Sequence, residues 1–211
     1  MVENITTINP STMPDNSDIR AAARAKLNGH WSQPVVCTLV YYLVCYAASS
    51  IPLSFLATLP LAFGFVLTFL AFMRDENTED MIGEPFKVFK LYSRYLGASL
   101  LKALIIFLWS LLLIIPGIVM SYAYAMTPYL CKDHPEMSVS DCISRSKAMM
   151  RGYKWKLFLL DLSFIGWLLL CCLSFGIGLF WVTPYRQCAR AKFYEELKNI
   201  PQLESQAPKE L

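Results

Sequence analysis

The chain has 211 residues, 55% of them hydrophobic and only 17% charged, with a mean hydropathy of +0.41. About a quarter of the residues of a water-soluble domain are charged, so composition already excludes an ordinary soluble fold. A net charge of +3 is too small and too scattered to indicate a nucleic-acid partner. The basic residues stand beside apolar stretches, where they read as orientation signals.

Residues 1–16 are polar, with Asn9-Pro10-Ser11 and Pro14-Asp15-Asn16, and are expected to form a disordered tail. Ser17 is placed to cap a short helix over 18–28, with Arg20 and Arg24 on one face and Ile19, Ala23 and Leu27 on another, the pattern of an interfacial helix. Residues 27–73 then run without a single Asp, Glu, Lys or Arg. One helix of that length would measure about 70 Å, against a hydrocarbon core of about 30 Å. The run must therefore fold back, and Ser49-Ser50-Ile51-Pro52 is the turn it offers. This divides it into helical segments at 34–48 and 53–73.

A charged stretch follows at 74–97, ending where Phe86, Phe89, Tyr92 and Leu96 recur at helical spacing. The second uncharged run, 103–131, is interrupted by Pro116-Gly117, a turn or kink signal. Residues 132–156 hold an amphipathic helix under a capping box, Ser138-x-x-Asp141, with Val139, Cys142, Ile143 and Met150 on one face. The last apolar stretch, 157–181, is broken by Gly176-Ile177-Gly178 and passes through Thr183-Pro184-Tyr185 into a charged amphipathic segment, 186–199. Residues 200–211 form a polar tail.

The positive-inside rule chooses between two topologies. With four crossings, Lys132, Arg145, Lys147, Arg151, Lys154 and Lys156 fall on the side opposite the other basic residues. With Pro116-Gly117 and Gly176-Ile177-Gly178 as hairpin turns there are six segments, the three turns carry no charge, and all 19 Lys and Arg lie on the cytosolic side. The expected fold is thus all-α: a polytopic transmembrane helix bundle of six segments arranged as three helical hairpins, with cytosolic amphipathic helices. It forms one integral membrane domain over 17–199, both termini cytosolic. A weak threefold repeat agrees. Each pair follows a basic helix ending in Gly, as in Arg24 to Gly29-His30-Trp31, Arg94-Tyr95-Leu96-Gly97 and Arg151-Gly152-Tyr153, and each carries Thr and Pro in its later member, at Thr58-Leu59-Pro60, Thr127-Pro128 and Thr183-Pro184.

Enzyme chemistry finds little support. There are two histidines and no HExxH, GxSxG or Walker loop, so no catalytic residue and no cofactor is expected. His30 reads as an interface residue and His134 as part of a solvated loop. The acids Asp75, Glu76, Glu79, Asp80 and Glu84 could offer oxygen ligands to a cation but lack an EF-hand pattern and read as a charged loop. The seven cysteines form no CxxC pair and read as small buried hydrophobes. The best functional candidates are Asp161 and Arg186, an ion pair expected at membrane depth, where such groups face the bundle interior and mark a substrate path or a structural contact. Trp31, Trp155, Tyr129 and Tyr185 are expected to be interfacial anchors. Tyr122, Tyr124 and Trp181 belong to the same belt or to helix packing.

The stretch from Ser144 through Arg151-Gly152-Tyr153-Lys154-Trp155, Gly166-Trp167, Gly176-Ile177-Gly178 and Pro184-Tyr185 to Phe193-Tyr194 resembles a bacterial family of multi-pass proteins, domain of unknown function 975. Arg20-Ala21-x-Ala23-Arg24 with Leu27, Gly29 and Trp31 is similar to that family's opening. The resemblance implies an integral helical protein of the bacterial cytoplasmic membrane and transfers no site residues. The expected partner is the lipid bilayer, together with a membrane protein or a second copy of the chain. The expected role is non-enzymatic, in envelope organisation or partner binding, with a small-solute transporter, a permease subunit or an immunity or export protein as the alternative.

Overall fold

The computed structural model describes residues 13–49, 55–76, 81–112, 114–167, 171 and 176–200. Among these the chain is helical and has no strand. Its elements are α1 (Asn16–Leu27), α2 (Ser32–Ser49), α3 (Phe55–Met73), a 3-10 helix (Glu84–Leu91) running directly into α4 (Tyr92–Leu112), α5 (Ile114–Ala123), α6 (Thr127–Asp133), α7 (Val139–Met149), α8 (Lys154–Leu162) and α9 (Leu179–Lys198). Two helical stretches are long and apolar enough to cross a membrane, Ser32–Ser49 and Glu84–Leu108, and Thr58–Met73 is a shorter apolar one.

Side-chain contacts show how the apolar helices pair. Tyr41 in the middle of α2 stacks on Phe65 in the middle of α3, with ring centroids 4.1 Å apart. Lys26, in the last turn of α1 and so on the N-terminal side of α2, pairs with Asp75, just after α3. The outer ends of α2 and α3 therefore lie together, and the two helices are antiparallel. The expected turn at 49–52 falls almost wholly outside the described residues. A second reversal separates α4 from α5. Arg94, at the start of α4, donates to His134 O at 2.8 Å and to Cys142 Sγ at 3.8 Å, while Ser146, one turn further along α7, donates to Ala123 O at the end of α5 at 3.0 Å. An unbroken helix would set Arg94 and Ala123 about 43 Å apart. Pro116-Gly117 lies inside the first turn of α5. This corrects the expected turn: proline suits a first helical turn, where the amide it lacks has no intrahelical acceptor.

The third reversal lies where the sequence places it. Gly176 has φ +84 and donates its amide to Cys171 O at 2.8 Å. A Cβ on Gly178 would sit 2.6 Å from Cys171 Sγ, so glycine lets the two limbs meet. This hairpin is short. Tyr185, only two turns into α9, already reaches α1 through a hydrogen bond to Arg20 O at 3.2 Å.

The opposite ends of the helices build a closely packed base. Ile19, Ala23 and Leu27 of α1, Phe69 and Leu70 of α3, Tyr129 and Leu130 of α6, and Cys188, Phe193, Tyr194 and Leu197 of α9 are all buried in one core. α1 begins one residue before the expected cap Ser17, with Asp15 as the preceding residue. Ahead of it Met13 is buried and its carbonyl accepts from Lys156 Nζ at 2.8 Å, and Asn16 donates to Lys156 O at 3.0 Å. The capping box forms as the sequence indicates, Asp141 N donating to Ser138 Oγ at 3.2 Å, and Cys142, Ile143 and Met150 are buried on the expected face. Gly29 and Gly152, with φ of +83 and +87, end α1 and α7 in the left-handed conformation that glycine adopts without strain. Gly97, the third glycine of the repeat, instead lies inside α4.

Candidate functional site

Four elements bring ionisable side chains into the interior between the hairpins and the base. α9 carries Arg186 and Arg190 four residues apart, hence on one helix face. α8 contributes Asp161, which accepts from Arg190 Nε at 3.0 Å and pairs a second time through Nη2. The sequence points to Arg186 as the partner of Asp161. The geometry supplies Arg190, because Asp161 lies beside the deeper, base-side turn of α9. Asp161 is the more enclosed of the two, with its side chain 11% exposed against 28% for Arg190. Tyr122 of α5 lies within hydrogen-bonding reach of the same carboxylate.

Two further cations lie near Arg190. Arg186 lies within electrostatic range of Asp161, Arg190, Tyr42 and Tyr122. Lys102 of α4 is enclosed by protein, stands over the Phe63 ring at 5.9 Å and is within electrostatic range of Arg190. The sequence reading missed Lys102 because it abuts the uncharged run at 103–131, where it passes for a border charge. Beside Arg186, the Thr183 hydroxyl meets Tyr42 Oη at 3.2 Å, which ties α9 to α2.

A second charged cluster fastens the base. Arg74, just past α3, grips Asp133 at the end of α6 through two hydrogen bonds of 2.6 and 2.7 Å and also donates to Glu195 of α9 at 2.7 Å. Tyr194 and Lys198 each reach Asp133 at 2.9 Å. Burial pushes the Asp133 carboxyl up, but hydrogen bonds from Arg74, Lys198 and Tyr194 outweigh it and hold the group well below the usual carboxylate range. The bond to Asp133 correspondingly raises the Arg74 guanidinium.

The expected anchors divide. Trp155 is 67% exposed and stacks on Phe158, and Trp31 is partly buried. Tyr129 and Tyr185 are core residues, which corrects their reading as interfacial anchors. Tyr129 is 2% exposed and stacks on Tyr194 at 4.9 Å, while the Tyr185 ring lies edge-on to Phe164 and under Arg24. The acids after α3 are occupied by cations: Asp75 pairs with Lys26, Glu76 with Lys132 and Glu84 with Lys87. Glu79 and Asp80 lie outside the described residues. His134 meets Glu136 at 3.1 Å in the α6–α7 loop, and exposed His30 joins Lys26, Gln33, Phe72 and Asp75 around a cavity of about 330 Å³. Cys37, Cys131, Cys142, Cys171 and Cys188 are buried thiols.

No curated protein and no solved structure matches the chain. The model of one family, described as Protein of unknown function (DUF975), matches residues 111–200, which take in α5 through α9 with Asp161, Arg186 and Arg190. The match supports, over residues 111–200, the resemblance to the domain of unknown function 975 family that the sequence carries.

Proposed function

We propose that the protein is a non-enzymatic membrane protein whose three helical hairpins enter the bilayer from the cytosolic side of the bacterial cell membrane. They stand on a cytosolic base that holds both termini. The observation that carries this reading is the run of exposed apolar side chains along the uncharged helices. Leu43 and Tyr46 on α2, Leu104 and Phe107 on α4, and Ile177 and Trp181 at the third hairpin are each 49% exposed or more. Apolar surface on this scale gains about 25 cal/mol per Å² on leaving water, and lipid is the medium that supplies that gain along a whole hairpin. α2 measures about 27 Å and comes close to the full hydrocarbon thickness. The third hairpin extends about 10 Å beyond α1 and enters without crossing.

On this reading the base presents α7 and the 3-10 helix to a membrane-protein partner or a second copy, which makes the role one of envelope organisation or partner binding. A second reading, passage of a small solute, draws on the enclosed charges of the interior. Single-tryptophan variants in vesicles containing lipids brominated at known depths test the insertion. A tryptophan introduced by Leu43→Trp, more than halfway along α2, is expected to be quenched by deeply brominated chains and Trp31 by shallow ones. Equal, weak quenching of both would overturn the hairpin insertion. Solute flux through vesicles carrying Asp161→Asn or Arg190→Gln separates the two roles: a leak or uptake that these changes abolish, in protein that remains folded, favours passage.

A further inference from the structure

The end of α1, the start of α2 and the end of α3 enclose the cavity of about 330 Å³. Lys26 enters its wall from the last turn of α1, Asn28 and His30 from the link to α2, Gln33 from the first turn of α2, Phe72 from the last turn of α3 and Asp75 from just beyond it. The ion pair in this wall leaves polar atoms open: Lys26 Nζ meets Asp75 through Oδ1 alone, and the Asp75 side chain is 74% exposed. The side chains of Asn28, His30 and Gln33 make no hydrogen bond among the described residues. Asp75 also stands where glycine is usual. Its amide donates to Phe72 O and that of Glu76 to Ala71 O, which closes the end of α3 and holds Asp75 at φ +60, a left-handed conformation that glycine adopts more easily. What aspartate adds there is a carboxylate at the mouth of the cavity.

A wall with one ammonium, one carboxylate and unused amide and imidazole groups has no net charge but offers contacts of both signs. A ligand of a single charge would meet a like charge in it, whereas a zwitterion meets both partners. Lys26, His30 and Gln33 are donors for a phosphate, and the first turn of α2 favours an anion. Asp75 is an acceptor for a primary ammonium. The volume lies at the lower end of small-ligand sites, roughly 300–1,000 Å³. A second observation shows what continues from such a group. Gln33, Val36, Val40 and Leu43 recur at helical spacing and share one face of α2. Val36 is 42% exposed and Leu43 63%, so an apolar track of about 15 Å rises from the cavity wall. We propose that the cavity binds a phospholipid with a phosphoethanolamine headgroup, its phosphate on Lys26, His30 and Gln33, its ammonium on Asp75 and an acyl chain along the Val36–Leu43 face. This rests on the reading of the hairpins as inserted in lipid, because the bilayer supplies the ligand.

The test uses the full chain in uncharged detergent, with phosphatidylethanolamine, phosphatidylcholine or phosphatidylglycerol of the same acyl chains in mixed micelles and soluble O-phosphoethanolamine in a fourth arm. Binding is read by calorimetry and by the shift in thermal unfolding. Phosphatidylethanolamine is expected to bind about tenfold more tightly than the other two lipids, the worth of one charge-assisted hydrogen bond. The methylated ammonium of phosphatidylcholine has no proton to donate to Asp75, and phosphatidylglycerol has no cation. Asp75→Asn, which suits the left-handed backbone, should erase the preference; Glu76→Gln, adjacent but outside the cavity wall, should keep it. Val36→Asn should weaken the lipid and leave the soluble zwitterion unchanged. Equal binding of the three lipids, or a preference that survives Asp75→Asn, overturns the proposal. Soluble O-phosphoethanolamine binding as tightly as the lipid would overturn the lipid as ligand. Should Asp75→Asn not fold, Lys26→Gln, expected to weaken all four ligands through their phosphate, carries the comparison. Micelle binding does not depend on insertion depth. Loss of the preference with deep quenching at Leu43→Trp intact removes the site and leaves the hairpins, and a preference without that quenching keeps the site and removes the insertion.

Discussion

Asp133 joins elements that are far apart in sequence, accepting from Arg74, 59 residues earlier, and from Lys198, 65 residues later. Its side chain is 7% exposed, so removing its charge leaves the cations around it without their shared acceptor. Asp133→Asn should lower stability by about 3 kcal/mol, the cost of breaking one side of an enclosed ion network, measured by thermal or denaturant unfolding in detergent. The pH dependence has a fixed sign. A carboxylate held below its usual range contributes stability that is complete above the unfolded value of about 4 and is lost as pH falls through the folded value. The wild type should therefore lose stability below about pH 4, and Asp133→Asn should remove part of that loss. An unchanged acid profile would show that another carboxylate is responsible. None of this was legible from the sequence, because an acid five residues before the Ser138 cap looks like any loop charge until distant helices are brought to it. Tyr129 and Tyr185 were misread for a related reason. An aromatic near a basic segment has the same signature whether it lies in a headgroup layer or stacks on Tyr194.

Glycines show at the scale of elements how local chemistry decides packing. Gly64 of α3 faces the 3-10 helix so closely that a Cβ there would strike Pro85 O and come within 2.7 Å of Val88 Cγ2. Gly64→Ala should push the Glu84–Leu91 helix off α3 and cost about 1–3 kcal/mol, seen as a lower unfolding temperature and faster proteolysis ahead of Glu84. Gly97, inside α4, has nothing within 4 Å of its Cβ position. Gly97→Ala should instead stabilise by up to about 1 kcal/mol through helix propensity, and opposite signs for two alanine substitutions are a sharp check on both placements. Ser138→Ala should cost about 1 kcal/mol by removing the cap from α7. The capping box and the Gly176 turn were readable because each rests on a few adjacent residues. Pro116-Gly117 misled because a proline marks the start of a helix as well as the end of one, and only the contacts of Arg94 and Ser146 with α7 distinguish the two.

The distribution of charge along the chain governs the arrangement of the whole molecule. Charged blocks separated by apolar runs gather at one end once each run doubles back, and the contacts of Lys26 with Asp75 and of Arg94 with the α6–α7 loop bring this about for the first two hairpins. On the proposed insertion, the depth each hairpin reaches depends on where it leaves the base. α9 leaves it at Tyr185, so its proline at 184 and the turn at Gly176 belong to a shallow limb. Single cysteines placed at 50, 117 and 177 in a chain otherwise free of cysteine, with controls at 76 and 147, convert this into a measurement. In sealed vesicles with the base facing outward, a membrane-impermeant maleimide should label the two controls and leave 50, 117 and 177 unlabelled. After the vesicles are opened, position 50, beyond the long first hairpin, should become reactive. Position 177, at the end of the short third hairpin, should stay protected in lipid until detergent is added. Labelling of 50 and 117 from the base side of sealed vesicles would remove the hairpins from the bilayer. Reaction of 177 on opening, before detergent, would show instead that the third hairpin crosses, and would carry Arg186 to a depth that the contact of Tyr185 with α1 does not provide.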